Sequence, residues 1–158
     1  MDIPSSRNEE VEVQLTQTNA DVITVLRRFK EINPWRGKCE ERKAKYKWVF
    51  DELKVALELD PDWKIEFDVD PNIRNWVSSS NSYTDHAQKK ITLRGRLSTI
   101  TMLHEMWHAF SLSANQHEAN AFAISHFKEV FPEKMQKLSD LGGLLVQKQK
   151  FVFYPQRD

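Results

Sequence analysis

The sequence predicts an α+β fold in which N-terminal helices precede a small antiparallel sheet and two further helices. Three observations carry this. Tyr46, Val49, Phe50, Leu53, Ala56 and Leu57 recur at spacings of three and four, the period of a helix with one buried face. Trp63, Ile65, Phe67 and Val69 then alternate with Lys64, Glu66, Asp68 and Asp70, the period of a strand with one buried and one wet face. Beyond residue 98 the helical period returns twice, on either side of a break at Ser113-Ala114-Asn115.

In chain order, residues 1–17 read as a polar N-terminal tail, in which Val11, Val13 and Leu15 alternate well enough for a strand or a loose segment. Asn19 or Asp21 caps a short helix bearing Val22, Ile23, Val25, Leu26 and Phe29, which Asn33-Pro34 ends. The longer helix covers about Gly37 to Leu59 and stops at Asp60-Pro61. After the strand from Trp63, a second strand is expected over Ile73 to Val77, followed by the loop Ser78-Ser79-Ser80-Asn81-Ser82. Tyr83 to Gly95 reads as a hairpin turning near Asp85 to Gln88, completing an antiparallel meander. Helices follow at about Ser98–Leu112 and Gln116–Val130, the second with Asn115 as N-cap and Glu118 three residues on, in the manner of a capping box. Pattern alone leaves the structure of Glu133 to Asp158 open. The domain organisation is a tail over 1–17 and one domain over 18–158.

Composition narrows the function. A chain of 158 residues and 18.6 kDa suffices for one core, and 5 Trp, 3 Tyr and 9 Phe supply enough apolar surface to order it. Lys and Arg number 23 and so do Asp and Glu, which argues against a general polyanion binder. The charge is nevertheless uneven. Arg27 to Lys47 is rich in Lys and Arg, and Val49 to Asp70 is acidic. No apolar run approaches the roughly 20 residues of a bilayer-spanning helix. The first ten residues lack the basic flank and apolar stretch of a secretory signal, so the expected location is the cytoplasm. One cysteine, Cys39, excludes an intramolecular disulfide and a zinc site of several thiolates, so any metal must be held by His and carboxylate.

His104-Glu105-Met106-Trp107-His108 is an H-E-x-x-H sequence inside a helical pattern. With His104 at zero, Leu103, Trp107, Phe110 and Met106 fall at about −100°, −60°, −120° and −160° around the axis, and His108 and Glu105 at about +40° and +100°. The apolar residues thus hold one side of the helix against a core and leave both imidazoles and Glu105 facing a cleft. His104, His108, His117 and His126 crowd into 23 residues. The expected ion is zinc (Zn2+), which takes imidazole and carboxylate ligands in a catalytic site with one position left for water. Two adjacent residues, His117 and Glu118, open the next helix and are candidates for the third ligand. They point about 100° apart, so one of them should face the ion.

His104-Glu105-Met106-Trp107-His108 followed by Glu118-Ala119-Asn120-Ala121-Phe122-Ala123 resembles the ImmA/IrrE group of gluzincin-type metallopeptidases. The hairpin from Tyr83 to Leu93 is similar to the strand pair before the active helix in that group. The resemblance implies a minimal zincin-like domain, with a ligand-bearing helix after the active-site helix and Glu118 as third metal ligand. It also implies a protein or peptide substrate, such as a transcriptional regulator that binds DNA. Leu103 to Ala109 is similar as well to SprT-like proteins, in which a later histidine completes the site. That pattern favours His117, with Glu118 at the position where a glycine is expected.

Under either resemblance the chemistry is hydrolysis of a peptide bond by an activated water, with Glu105 as general base. Tyr83, His86 and His126 are candidate donors to the oxyanion. The strand Lys90 to Arg94 is expected to act as an edge along which an extended peptide pairs. A different class of function is a DNA-associated or protein-binding module with a structural or inactive zinc site. There, the basic residues between Arg27 and Lys47 would meet phosphate while Trp35, Tyr46 and Trp48 stack on bases.

Overall fold

The computed structural model describes residues 3–69, 82–95 and 97–140, with side chains over 17–69, 82–95 and 97–137. Helices α1 (Ile3–Glu31) and α2 (Cys39–Ala56) lead into strands β1 (Lys64–Val69), β2 (Tyr83–Asp85) and β3 (Lys90–Gly95). Helices α3 (Thr99–Ser111), α4 (Gln116–Val130) and α5 (Pro132–Asp140) follow. The fold is α+β, and among the described residues no helix is long and apolar enough to cross a membrane.

Helix α1 begins at Ile3, so the backbone of the segment expected as a tail or strand is helical. Its inner face at the C-terminal end consists of Val22, Val25, Leu26 and Phe29, all buried, and it meets the buried Tyr46, Val49, Phe50 and Leu53 of α2. Phe29 and Tyr46 pack edge to face with centroids 5.2 Å apart. The Tyr46 hydroxyl crosses the core to a 2.9 Å hydrogen bond with Thr99 Oγ1 and so ties α2 to the first turn of α3. Trp35 closes the far end, with Phe131 at 5.1 Å and Phe127 at 6.5 Å.

The sheet differs from the expected meander. Its order is β1-β3-β2; β1 runs parallel to β3 with Ile65 beside Ile91 and Phe67 beside Leu93, and β2 runs antiparallel to β3. The expected strand Ile73 to Val77 lies outside the described residues. The hairpin is as expected, its turn fastened where Asp85 Oδ1 accepts from the Gln88 N–H at 3.0 Å. Because β3 is paired on both sides, it offers no free edge, and among the described residues β2 is an outer strand of the sheet, beside α3. Ile91 and Leu93, fully buried, press the centre of the sheet onto the core that also takes Met102, Leu103 and Met106 of α3. Each such burial contributes about 1.5–3 kcal/mol, enough together to fix how α3 is rotated.

Candidate metal centre

The helix that carries the motif is set by its caps. Ser98 accepts from the Thr101 N–H at 3.2 Å at the N-terminus. At the other end Leu112 adopts the left-handed conformation, φ 59°, and its N–H closes onto the His108 carbonyl at 3.0 Å. This reversal brings the Ser113 carbonyl under the His108 ring and starts α4 four residues later. Asn115 caps α4 by accepting from the Glu118 N–H at 3.0 Å. The Asn115 N–H goes to Ser113 Oγ at 3.1 Å, the arm that a capping-box glutamate would otherwise take.

His104, Glu105 and His108 meet at one place, all at least 96% buried; the spacing predicts that all three face a cleft, and of the three His108 alone lines the one beside them. His104 Nε2 and His108 Nε2 lie 3.2 Å apart, and Glu105 Oε2 is 4.0 Å from His104 Nε2. The opposite ring nitrogens are anchored. His108 Nδ1 donates to the Ser113 carbonyl at 2.6 Å, and His104 Nδ1 donates to Asn120 Oδ1, on α4, at 2.7 Å. In a neutral imidazole this places the lone pair on each Nε2, so the two lone pairs converge.

Two zinc-bound nitrogens at about 2.0–2.1 Å in tetrahedral array stand about 3.3–3.4 Å apart, close to the separation found here. The anchored Nδ1 atoms are the outer hydrogen bonds that metal-binding histidines characteristically make. The histidine pair therefore fits zinc.

The Glu105 carboxylate is held in turn. The Thr84 hydroxyl of β2 lies 2.8 Å from Glu105 Oε1 and 2.9 Å from the Glu105 carbonyl, sharing its one proton between them. Oε2 is left as the oxygen on the side of the histidines. His86, in the hairpin turn, donates from Nε2 to the His108 carbonyl at 2.9 Å and rests edge-on against Trp63 at 5.8 Å. A cleft of about 290 Å³ opens here, lined by Thr84, His86, His108, Leu112, Ser113, Ala114 and Gln116.

Other expected residues fall elsewhere. Glu118 and His117 are both exposed on α4. Among the described residues no three His, Cys, Asp or Glu side chains group as a metal site. The α4 side chain that does arrive is Gln116, 6% exposed, with Oε1 3.1 Å from His108 Nε2. Its signal was present in the sequence: Gln116, Ala119, Asn120, Ala123 and Phe127 recur at three and four, so Gln116 and Asn120 ride on the buried stripe one turn apart. An expectation restricted to His and Glu passes over an amide.

The oxyanion candidates are also redistributed. Tyr83 is half-buried beneath the Arg94 guanidinium at 5.3 Å, outside the cleft lining. His126 is buried two turns further along α4, donating from Nδ1 to the Phe122 carbonyl at 2.7 Å, and burial holds its pKa below the ordinary histidine value. Only His86 borders the cleft, with its Nε2 proton already committed to a carbonyl.

The basic and aromatic residues near α2 are largely satisfied within the fold. Tyr46 is fully buried, Trp48 lies under Arg28, and Trp35 packs on phenylalanines. Lys45 donates to the Asn33 and Arg36 carbonyls, Lys47 pairs with Asp51, and Arg28 pairs with Glu52. Comparison of the chain with protein-family models, curated proteins and solved structures returns no match.

Proposed function

We propose that this protein is a zinc-dependent endopeptidase of the zincin type, similar in its motif to the ImmA/IrrE group. The observation that carries the reading is the 3.2 Å approach of His104 Nε2 to His108 Nε2, with each Nδ1 anchored and the Glu105 carboxylate beside them. His104 and His108 would hold the ion. When bound there, zinc would polarise a peptide carbonyl and lower the pKa of water from about 15.7 towards 7.

The chain's own groups supply the rest. Glu105 Oε2 accepts the proton of the attacking water, while the Thr84 hydroxyl keeps Oε1 turned away and so fixes which oxygen reacts. As the peptide C–N bond breaks, the same carboxyl returns that proton to the leaving amine. The edge of β2 pairs with the main chain of an extended substrate and makes little demand on its sequence. Leu112, 76% exposed, and Ala114 give the cleft an apolar wall for one substrate side chain. The proposed substrate is an extended segment of a regulatory or DNA-bound protein. The proposed compartment is the cytosol, where Cys39 stays a thiol.

The test is cleavage of quenched-fluorophore casein by zinc-loaded protein. Glu105→Gln should lower kcat by about 10²–10⁴-fold with zinc binding retained, and a chelator should abolish turnover. Full activity of Glu105→Gln would refute the mechanism.

A further inference from the structure

The geometry points to Gln116 Oε1 as the third protein ligand of this centre, giving a His–His–Gln set of uncharged donors. The inference rests on the metal-site half of the function proposed above and adds the identity and charge of the missing ligand. Gln116 opens α4 and is 6% exposed, and its Oε1 stands 3.1 Å from His108 Nε2, about the distance separating the two imidazole nitrogens. The side chain shares a helix face with Asn120, the residue that fixes His104, so one turn of α4 supplies both a donor and an anchor to the site.

Proton accounting supports a ligand. The Ser113 carbonyl can only accept, so His108 Nδ1 carries the hydrogen and, in a neutral ring, Nε2 carries a lone pair. His104 Nε2 and Gln116 Oε1 each approach His108 Nε2, at 3.2 and 3.1 Å, and two donors drawn that close to a third suit a shared cation. Glu118, the carboxylate expected here, is exposed, and its N–H is taken by the Asn115 cap.

A neutral third donor leaves the ion's double charge undiminished, where a carboxylate would cancel half of it. The consequence is a site that binds its metal less tightly and is loaded reversibly, because ligand charge count sets affinity for a hard or borderline cation.

Zinc affinity of chelator-stripped full-length protein, measured by calorimetry, with Co2+ absorption reporting coordination, tests this without reference to hydrolysis. Gln116→Met keeps the side-chain volume but removes the oxygen, and should weaken zinc binding by at least about tenfold. Gln116→Glu should tighten it by at least about tenfold and shift the Co2+ bands. Glu118→Ala and His117→Ala should leave it unchanged. Far-ultraviolet circular dichroism confirms that each apo variant is folded, and Gln116→Glu keeps the question open to decision if Gln116→Met is not. Zinc binding by wild type that is unaltered in Gln116→Met, or lost in Glu118→Ala, would overturn the ligand assignment alone. A wild type that takes up neither metal would overturn the centre itself, leaving His108 to be read as a protonated ring donating to both neighbours.

Discussion

Asn120 Oδ1 accepts the His104 Nδ1 proton at 2.7 Å across the α3–α4 interface, so the ring that faces the site from one helix is oriented by the other. Removing the acceptor by Asn120→Ala frees the ring to rotate and should weaken zinc affinity by about 10–100-fold. Asn120→Asp, which retains an acceptor and adds charge behind the ring, should preserve affinity. A zinc competition titration against a chromophoric chelator distinguishes the two.

Thr84 is a positioning residue for Glu105, reaching it from β2. Thr84→Val keeps the shape but leaves the buried carboxylate short of a donor, at a cost of about 1–3 kcal/mol in stability. It should also lower kcat on casein by about tenfold, a share of the 10²–10⁴ that a positioned base contributes, with KM little changed. Thr84→Ser should restore kcat, which a purely structural role in packing the threonine methyl would not allow.

Tyr46→Phe removes the buried hydroxyl that joins α2 to Thr99 at the start of α3. The expected loss is about 1–2 kcal/mol, since Thr99 is left with an unpaired buried hydroxyl. Urea denaturation monitored by tryptophan fluorescence measures it, and an unchanged midpoint would show that the bond contributes nothing to stability.

His126 gives stability a pH dependence. Burial lowers its pKa in the folded state, so its contribution is fully present above the unfolded value near 6.5 and is lost as pH falls from there towards the folded value. His126→Phe, which can keep the ring contact with Phe122, should remove that component. Urea unfolding at several pH values between 8 and 5 should show a smaller decline for the variant than for wild type. Equal declines would assign the pH dependence to other groups.

Local physics made much of this legible. The stripe of Leu103, Met106 and Phe110 sets α3 so that His104, Glu105 and His108 turn inward together, and α4 spans the Gln116–Val130 read from its pattern and its Asn115 cap. Pairing was harder to read. Alternation at Ile65, Phe67 and Val69 reveals a strand with two faces but carries no information about its partner, and β1 runs parallel to β3 where a meander was expected. The start of α1 escaped for a related reason: Val11, Val13 and Leu15 alternate like a strand, whereas the backbone from Ile3 is helical. At the centre, the buried stripe Gln116–Ala119–Asn120–Ala123 is legible in the spacing, and Gln116, the residue of α4 that reaches His108, lies on it, while His117 and Glu118 stand exposed beside it.

X-ray diffraction from crystals grown with zinc, recorded on both sides of the zinc absorption edge, tests the central claim most directly. The expected result is one anomalous peak within bonding distance of both His104 Nε2 and His108 Nε2, at the wall of the cleft lined by Thr84 and Gln116. An absence of anomalous density at the two imidazoles, or a zinc ion held only at surface residues, would contradict the account.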